Sequence, residues 1–520
     1  MEPVRKMIGR WGWLLTPVLA WLALPGRFSW WPLLLVCLVP LLACLADARL
    51  PLRRVFWFAL LTGVLFHLLQ IYWIVPVLTT YGGLPWFLAV PALLLLAAYL
   101  AVYLALFALG FSILARRGGP LTGIFGGAAL WVGLDWVRSW LFSGFPWMDV
   151  GYGVWHLPFL LQAADLFGHA GYTFLVVAIN ALVSMLVFRQ FPGRQTAFAA
   201  AAVAAVVLVL GGYSVNRWHH YRQVVGAAEA PVIGLVQGNV EQGRKWSPVE
   251  REKTVRNYLA LSGELVDNHR PELIVWPETA LPFYPHASEL MGPVLSFVGS
   301  SRQPLLTGAP WYEVREEEGN RLVFYYNGAL LLNGYGQEQG LYFKSHLVPF
   351  GEYVPLQRLL PFLAPLVEAA GNFTPGSIER PLTTGRIEAG VLICFESIFG
   401  KLGRDWVKRG ANLLVNVTND AWYGRSSAPH QSWAMSVFRA VETRRSLVRA
   451  ANTGISGIVD PLGRVVLQSG LFVPFAAAAP VHLLDQVTFF VRVGFLFAPL
   501  CGLAALLILV VLVKRPQRRV

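Results

Sequence analysis

Eight apolar stretches, seven before residue 214 and one after residue 492, confine this chain to a membrane bundle that carries one large water-facing segment. They lie near 11–24, 30–46, 55–77, 86–114, 120–141, 166–188, 196–213 and 493–513. Most approach the ~20 residues that an α-helix needs to cross a bilayer. The first is short and follows Arg5 and Lys6, as in a signal peptide, but six further spans precede any polar segment, which makes a cleaved leader the weaker reading. With 56% hydrophobic and 14% charged residues, an ordinary soluble globule and a disordered chain are both excluded.

The charges separate the chain into unlike parts. Only Glu2, Asp47, Asp135, Asp149 and Asp165 of the 29 acids precede residue 214; the other 24 fall within 214–485, beside 25 Lys and Arg. The net excess of +13 therefore sits in the apolar flanks, which speaks against nucleic acid and for loops facing anionic lipid. Short positive loops stay on the cytoplasmic side. Arg5, Lys6 and Arg10, then Arg49, Arg53 and Arg54, then Arg116 and Arg117, then Arg189 and Arg194, then Lys514, Arg515, Arg518 and Arg519 alternate with loops that hold almost none, Arg27 excepted. Both termini are thus expected inside and segment 214–485 outside, a conclusion that needs an odd number of spans before residue 214.

The expected organisation is a membrane domain over 1–213, an extracytoplasmic α/β domain over 214–485, and a last span with a basic tail over 486–520. Within the α/β segment, Val232–Val236, Leu273–Trp276, Ala329–Leu332, Val391–Ile393 and Leu413–Val417 read as strands buried on both faces. Val255–Val266 and Trp433–Arg445 are spaced like covering helices. His219 and His220 are adjacent, poor geometry for a metal, and are expected in a solvated loop. No metal site and no cofactor is expected.

Of four cysteines, Cys37, Cys44 and Cys501 lie in apolar runs, which leaves Cys394 for chemistry. Cys394 closes one buried run and Glu278 another, and Lys344 stands in Tyr342-Phe343-Lys344-Ser345-His346. Singly, each has a bland reading as core, turn or solvated charge. Jointly they fit a thiol nucleophile, a carboxylate that deprotonates it and an ammonium that steadies an oxyanion. In the membrane part, Asp135 and Arg138 stand three apart and are expected to pair.

Glu278 in Trp276-Pro277-Glu278-Thr279, Lys344 in the block Lys344-Ser345-His346-Leu347-Val348-Pro349-Phe350-Gly351-Glu352, and Cys394 in Ile393-Cys394-Phe395-Glu396 resemble the Glu-Lys-Cys triad of the nitrilase (carbon-nitrogen hydrolase) superfamily. With the eight-span frame, the chain resembles more narrowly the apolipoprotein N-acyltransferase family. Gln237-Gly238-Asn239 with Trp246, Asn416-Val417-Thr418-Asn419-Asp420-Ala421-Trp422-Tyr423, and Gly144-Phe145-Pro146-Trp147 add to the match. The resemblance implies an αββα nitrilase-like domain on the periplasmic side of a bacterial inner membrane. It implies transfer of an acyl chain from a phospholipid, phosphatidylethanolamine above all, to the α-amino group of a diacylglyceryl-modified apolipoprotein. Cys394 would be nucleophile, Glu278 base and Lys344 oxyanion stabiliser, with Glu352, Glu396 and Trp246 in support. Phe395 departs from relatives that carry Tyr there.

A thioester waiting on Cys394 would let two bulky substrates use one cavity in turn. The apolar, proline-interrupted stretch 356–367, with Leu359 and Phe362, is expected to pack as a loop or to gate acyl-chain entry. Gly144 and Trp147 are further candidates for substrate access. Rival readings are a membrane-anchored amidohydrolase acting on a small amide and a non-catalytic lipid-binding or transport protein.

Overall fold

A computed structural model describes residues 12–47, 49–243, 245–317, 320–353 and 372–514. It divides into two compact units: one of residues up to Val75, Pro85–Trp218 and from Arg492 onward, the other of Pro76–Leu84 and His219–Val491.

The first unit is helical. Among the described residues, five helical segments are long and apolar enough to cross a membrane: Leu52–Ile71, Trp86–Arg138, Leu161–Phe188, Gly193–Ala227 and Gly494–Lys514. Gly12–Ala23 and Trp31–Ala46 are shorter apolar helices. Trp86–Arg138 holds two of the expected spans as two helices that meet at Gly119, whose non-helical backbone (φ 81°, ψ −175°) a side chain would resist and which Pro120 follows. The helix Gly193–Ala227 runs well past the apolar stretch that ended at residue 213, and His219 and His220 stand exposed on it rather than in a loop. Lack of apolar character there reflects exposure, not a break in the helix. Gly133 and Gly502 mark a close helix crossing, since a Cβ on Gly133 would lie 2.4 Å from the Gly502 Cα.

The second unit is a four-layer sandwich. One six-stranded sheet has the order β12-β1-β2-β3-β4-β5, with β1 Val232–Gln237, β2 Leu273–Val275, β3 Leu305–Glu317, β4 Asn320–Leu332, β5 Glu338–Phe343 and β12 Phe475–Pro480. The other has the order β11-β10-β9-β8-β7-β6, with β6 Leu382–Thr384, β7 Ile387–Ile393, β8 Leu413–Thr418, β9 Ser446–Ala451, β10 Gly457–Val459 and β11 Val465–Gln468. The central strands β1-β2-β3 and β7-β8-β9 are parallel, and every other pairing is antiparallel.

The sheets meet where β1 touches β9 and β5 touches β6. Helices α1 Pro248–His269 and α2 Met291–Ser301 cover the first sheet, burying Val255, Tyr258, Leu265, Val294 and Val298 against Val236, Ile274 and Leu305. Helix α1 starts at Pro248 because Ser247 accepts a bond from the Glu250 amide at 3.4 Å. Helices α3 Gly400–Lys408 and α4 Ala428–Thr443 cover the second sheet. All five runs read as strands, and both read as helices, fall on elements of those types, except that Trp276 lies past the end of β2 and Arg444 and Arg445 past the end of α4, where Arg444 turns left-handed.

Candidate active site

Pro277 takes the chain out of β2, and Glu278 follows. The turn fits because Gly308 of β3 has no Cβ; one built there would lie 2.6 Å from the Glu278 Cα, and the Gly308 amide donates to the Pro277 carbonyl at 3.1 Å. Thr279 holds a φ of 51°, a costly conformation for a β-branched residue. Glu278 Oε1 accepts from Asn327 Nδ2 at 2.7 Å and Oε2 from the Asn419 amide at 2.8 Å. Its carboxylate is thereby fixed by one donor from each sheet.

Lys344 follows β5, and its amide donates to the Asn327 carbonyl at 2.9 Å. Its Nζ lies 2.9 and 2.8 Å from the two oxygens of Glu352 and 4.0 Å from Glu278 Oε1. Asn327 on β4 donates to Glu352 Oε1 as well, at 2.9 Å, so one amide group bridges both carboxylates. Burial alone would lower the Lys344 pKa, but Glu352, Glu278 and Cys394 outweigh it and hold the ammonium well above its ordinary value.

Cys394 follows β7 directly, with a φ of 53°, and opens the 3₁₀ turn Cys394–Ile398. Burial, then the negative charges of Glu278 and Asp420, push its thiol from 9.0 up to about 12; Lys344 and a hydrogen bond with Thr418 pull the other way. The resting group is therefore a thiol, and a base must take its proton during attack.

Glu396 is fully buried and braces the site. It accepts from the Ser345 amide at 2.7 Å, the His346 amide at 3.0 Å, the Tyr342 hydroxyl at 2.8 Å and the Ile393 amide at 2.7 Å. One carboxylate thus ties the segment bearing Lys344 to the turn bearing Cys394. Its burial raises its pKa, while these donors and Lys344 lower it. His346 is held at about 4 by burial and by Lys344, and stays neutral.

The structure brings together Glu278, Lys344, Glu352, Cys394 and Glu396. Trp246 is 47% exposed and stands outside their hydrogen-bonded network among the described residues. Phe395 packs edge-on against Phe399 at 5.2 Å. Gly144 and Trp147 lie in the helical unit, where Trp147 is buried with its ring 4.8 Å from that of Trp73 and its carbonyl on Arg138. Arg138 pairs with Asp135 at 3.0 Å, as expected, and with Asp149, which His169 also meets at 2.9 Å. Leu359, Phe362 and the rest of 356–367 lie outside the described residues.

Sequence reasoning passed over Asn327, Lys245 and Arg449. Arg449 is fully buried and meets Asp420 Oδ2 at 2.9 Å and Asn416 Oδ1 at 2.5 Å, fixing the loop that carries Asn419. Replacing Arg449 by Met should leave Asp420 buried without its counter-charge and cost about 3–5 kcal/mol, read as a lower thermal midpoint. A shift no larger than that of an exposed Arg→Met control would contradict it.

Residues 17–182 match the family model described as apolipoprotein N-acyltransferase N-terminal domain, and residues 232–473 match that of carbon-nitrogen hydrolase. An apolipoprotein N-acyltransferase of Geobacter metallireducens is 39% identical over 93% of this chain and 91% of its own. The chain belongs to the apolipoprotein N-acyltransferase family. Others of that name, from Methylococcus capsulatus and Gloeobacter violaceus, are 36% and 35% identical over 82% and 92% of this chain, and 84% and 89% of theirs. Like other members of the family, the protein is an acyltransferase with a nitrilase-like unit and a helical unit rich in apolar helices.

Proposed function

We propose that this acyltransferase moves an acyl chain from a phospholipid, phosphatidylethanolamine first among them, to the N-terminal amino group of a diacylglyceryl-cysteine apolipoprotein. The observation that carries this reading is a partly buried thiol that interacts with the carboxylate of Glu278 and the ammonium of Lys344, which stand 4.0 Å apart, where the two sheets meet. The apolar helices of the other unit favour lipid over a small soluble amide, which would need no membrane frame.

Glu278 takes the Cys394 proton as Sγ attacks the ester carbonyl, and Lys344 faces the oxyanion that forms. Collapse breaks the ester C–O bond, the lysophospholipid alkoxide leaves with the proton from Glu278, and the chain stays on Sγ as a thioester. The acceptor amine, as free base, then attacks the thioester. Glu278 passes an N–H proton to the departing sulfur, giving an amide and the resting thiol. Glu352 fixes the Lys344 ammonium, and water must be excluded while the thioester waits.

The placement that suits these substrates has eight spans, both termini cytoplasmic in a bacterial inner membrane, and segment 214–485 periplasmic between the domains 1–213 and 486–520. Its support is the alternation of Lys and Arg between successive loops.

The test is intact-protein mass spectrometry of the purified full chain with phosphatidylethanolamine and no amine acceptor. The expected result is a mass gain of one acyl group, removed by hydroxylamine, with release of lysophospholipid. Retained lipid without covalent mass gain would overturn the reading.

A further inference from the structure

We infer that Lys245 is a positioning residue for Glu278, a second ammonium that holds this carboxylate from the loop after β1. The inference rests on the reading of Glu278 as the base. Neighbouring residues on this loop reverse the usual order of burial: the Lys245 side chain is 1% exposed while the Trp246 indole is 47% exposed. Such reversals of a local rule concentrate at functional sites. Among the described residues the Lys245 Nζ is buried without a hydrogen-bond partner, and Glu278 is the charge it feels.

The loop has a fixed path. Asn452 accepts from the Val240 amide at 2.9 Å and donates to its carbonyl at 2.8 Å, and Asn419 Nδ2 donates to Gln242 at 2.6 Å. Asn419 is the residue whose amide binds Glu278, so the loop and the carboxylate share an anchor.

An unpaired buried ammonium is costly, and burial brings the Lys245 amine down to about 8 while Glu278 opposes that fall. The proposed mechanism needs Glu278 to start each half-reaction as a carboxylate. The other groups facing Glu278 are Lys344, Cys394, Tyr423, Asn327 and Asn419, with Glu352 and Asp420 behind them. Lys344 is shared between Glu352 and, at 4.0 Å, Glu278, and Lys245 adds a second positive charge against this crowding of negative charge.

The experiment follows alkylation of Cys394 by iodoacetamide from pH 5 to 9 in the full-length protein, in Lys245→Met, Lys245→Arg and Lys245→Gln variants, each also with Glu278→Gln. With Met or Gln, alkylation near pH 6.5 should fall roughly tenfold and the acid limb of the profile should move to higher pH. Arg should restore both. In the Glu278→Gln background, loss of Lys245 should have no further effect. Unchanged profiles in the folded Met or Gln variant, or a loss that persists without Glu278, would overturn the inference. No lipid enters this assay, so a wild-type protein that alkylates normally but transfers no acyl chain would defeat the proposed function and leave the role of Lys245 standing.

Discussion

Cys394→Ala should take up no acyl chain, and transfer should fall by at least about 10⁴-fold, because the proposed thioester forms on this sulfur. The fold should survive. Alanine keeps the Cβ that already sits at a φ of 53°, so the turn keeps its present strain, and the site loses only a sulfur. The comparison is intact-protein mass after incubation with phosphatidylethanolamine, beside near-ultraviolet circular dichroism. Retention of the adduct would move the nucleophile elsewhere.

Glu278→Gln should slow acylation about 10²–10⁴-fold near neutral pH, the usual contribution of a positioned base. Two effects oppose each other in this variant. The amide cannot accept the thiol proton, yet removing the carboxylate also removes a charge that holds the thiol high. The first effect wins. Even back at its ordinary 9.0, the thiol would be only about 1% thiolate at pH 7. The sign of the remaining pH dependence follows: thiolate grows as pH rises, so the variant should regain part of its rate toward pH 9–10. Rates equal to wild type across that range, measured by single-turnover acylation, would remove Glu278 as base.

Much of this site was legible because its chemistry needs rare residue types at the ends of strongly apolar runs. Val391–Ile393 announces β7 and delivers Cys394; Leu273–Trp276 announces β2 and delivers Glu278. The elements that escaped lack such contrast. β12 is Phe-Ala-Ala-Ala-Ala-Pro, and alanine has no strand preference to read. Asn327 lies within a strand that is otherwise ordinary, and only the pairing of β4 with β5 shows that its amide reaches two carboxylates. Arg449 and Lys245 carry charges that composition assigns to the surface, yet both are buried, because the carboxylates that act on them, Asp420 and Glu278, come from other segments of the chain.

In the helical unit, eight apolar stretches were readable by length. Two of them follow one another within Trp86–Arg138 as two helices, because Gly119, at φ 81° and ψ −175°, leaves the helical conformation between them.

Glu278 and Lys344 belong to one sheet and Cys394 and Asn419 to the other, with Glu396 as the clasp between them. Glu278 and Cys394 come from different layers, so this carboxylate and this thiol face one another only once both layers of the sandwich have folded together.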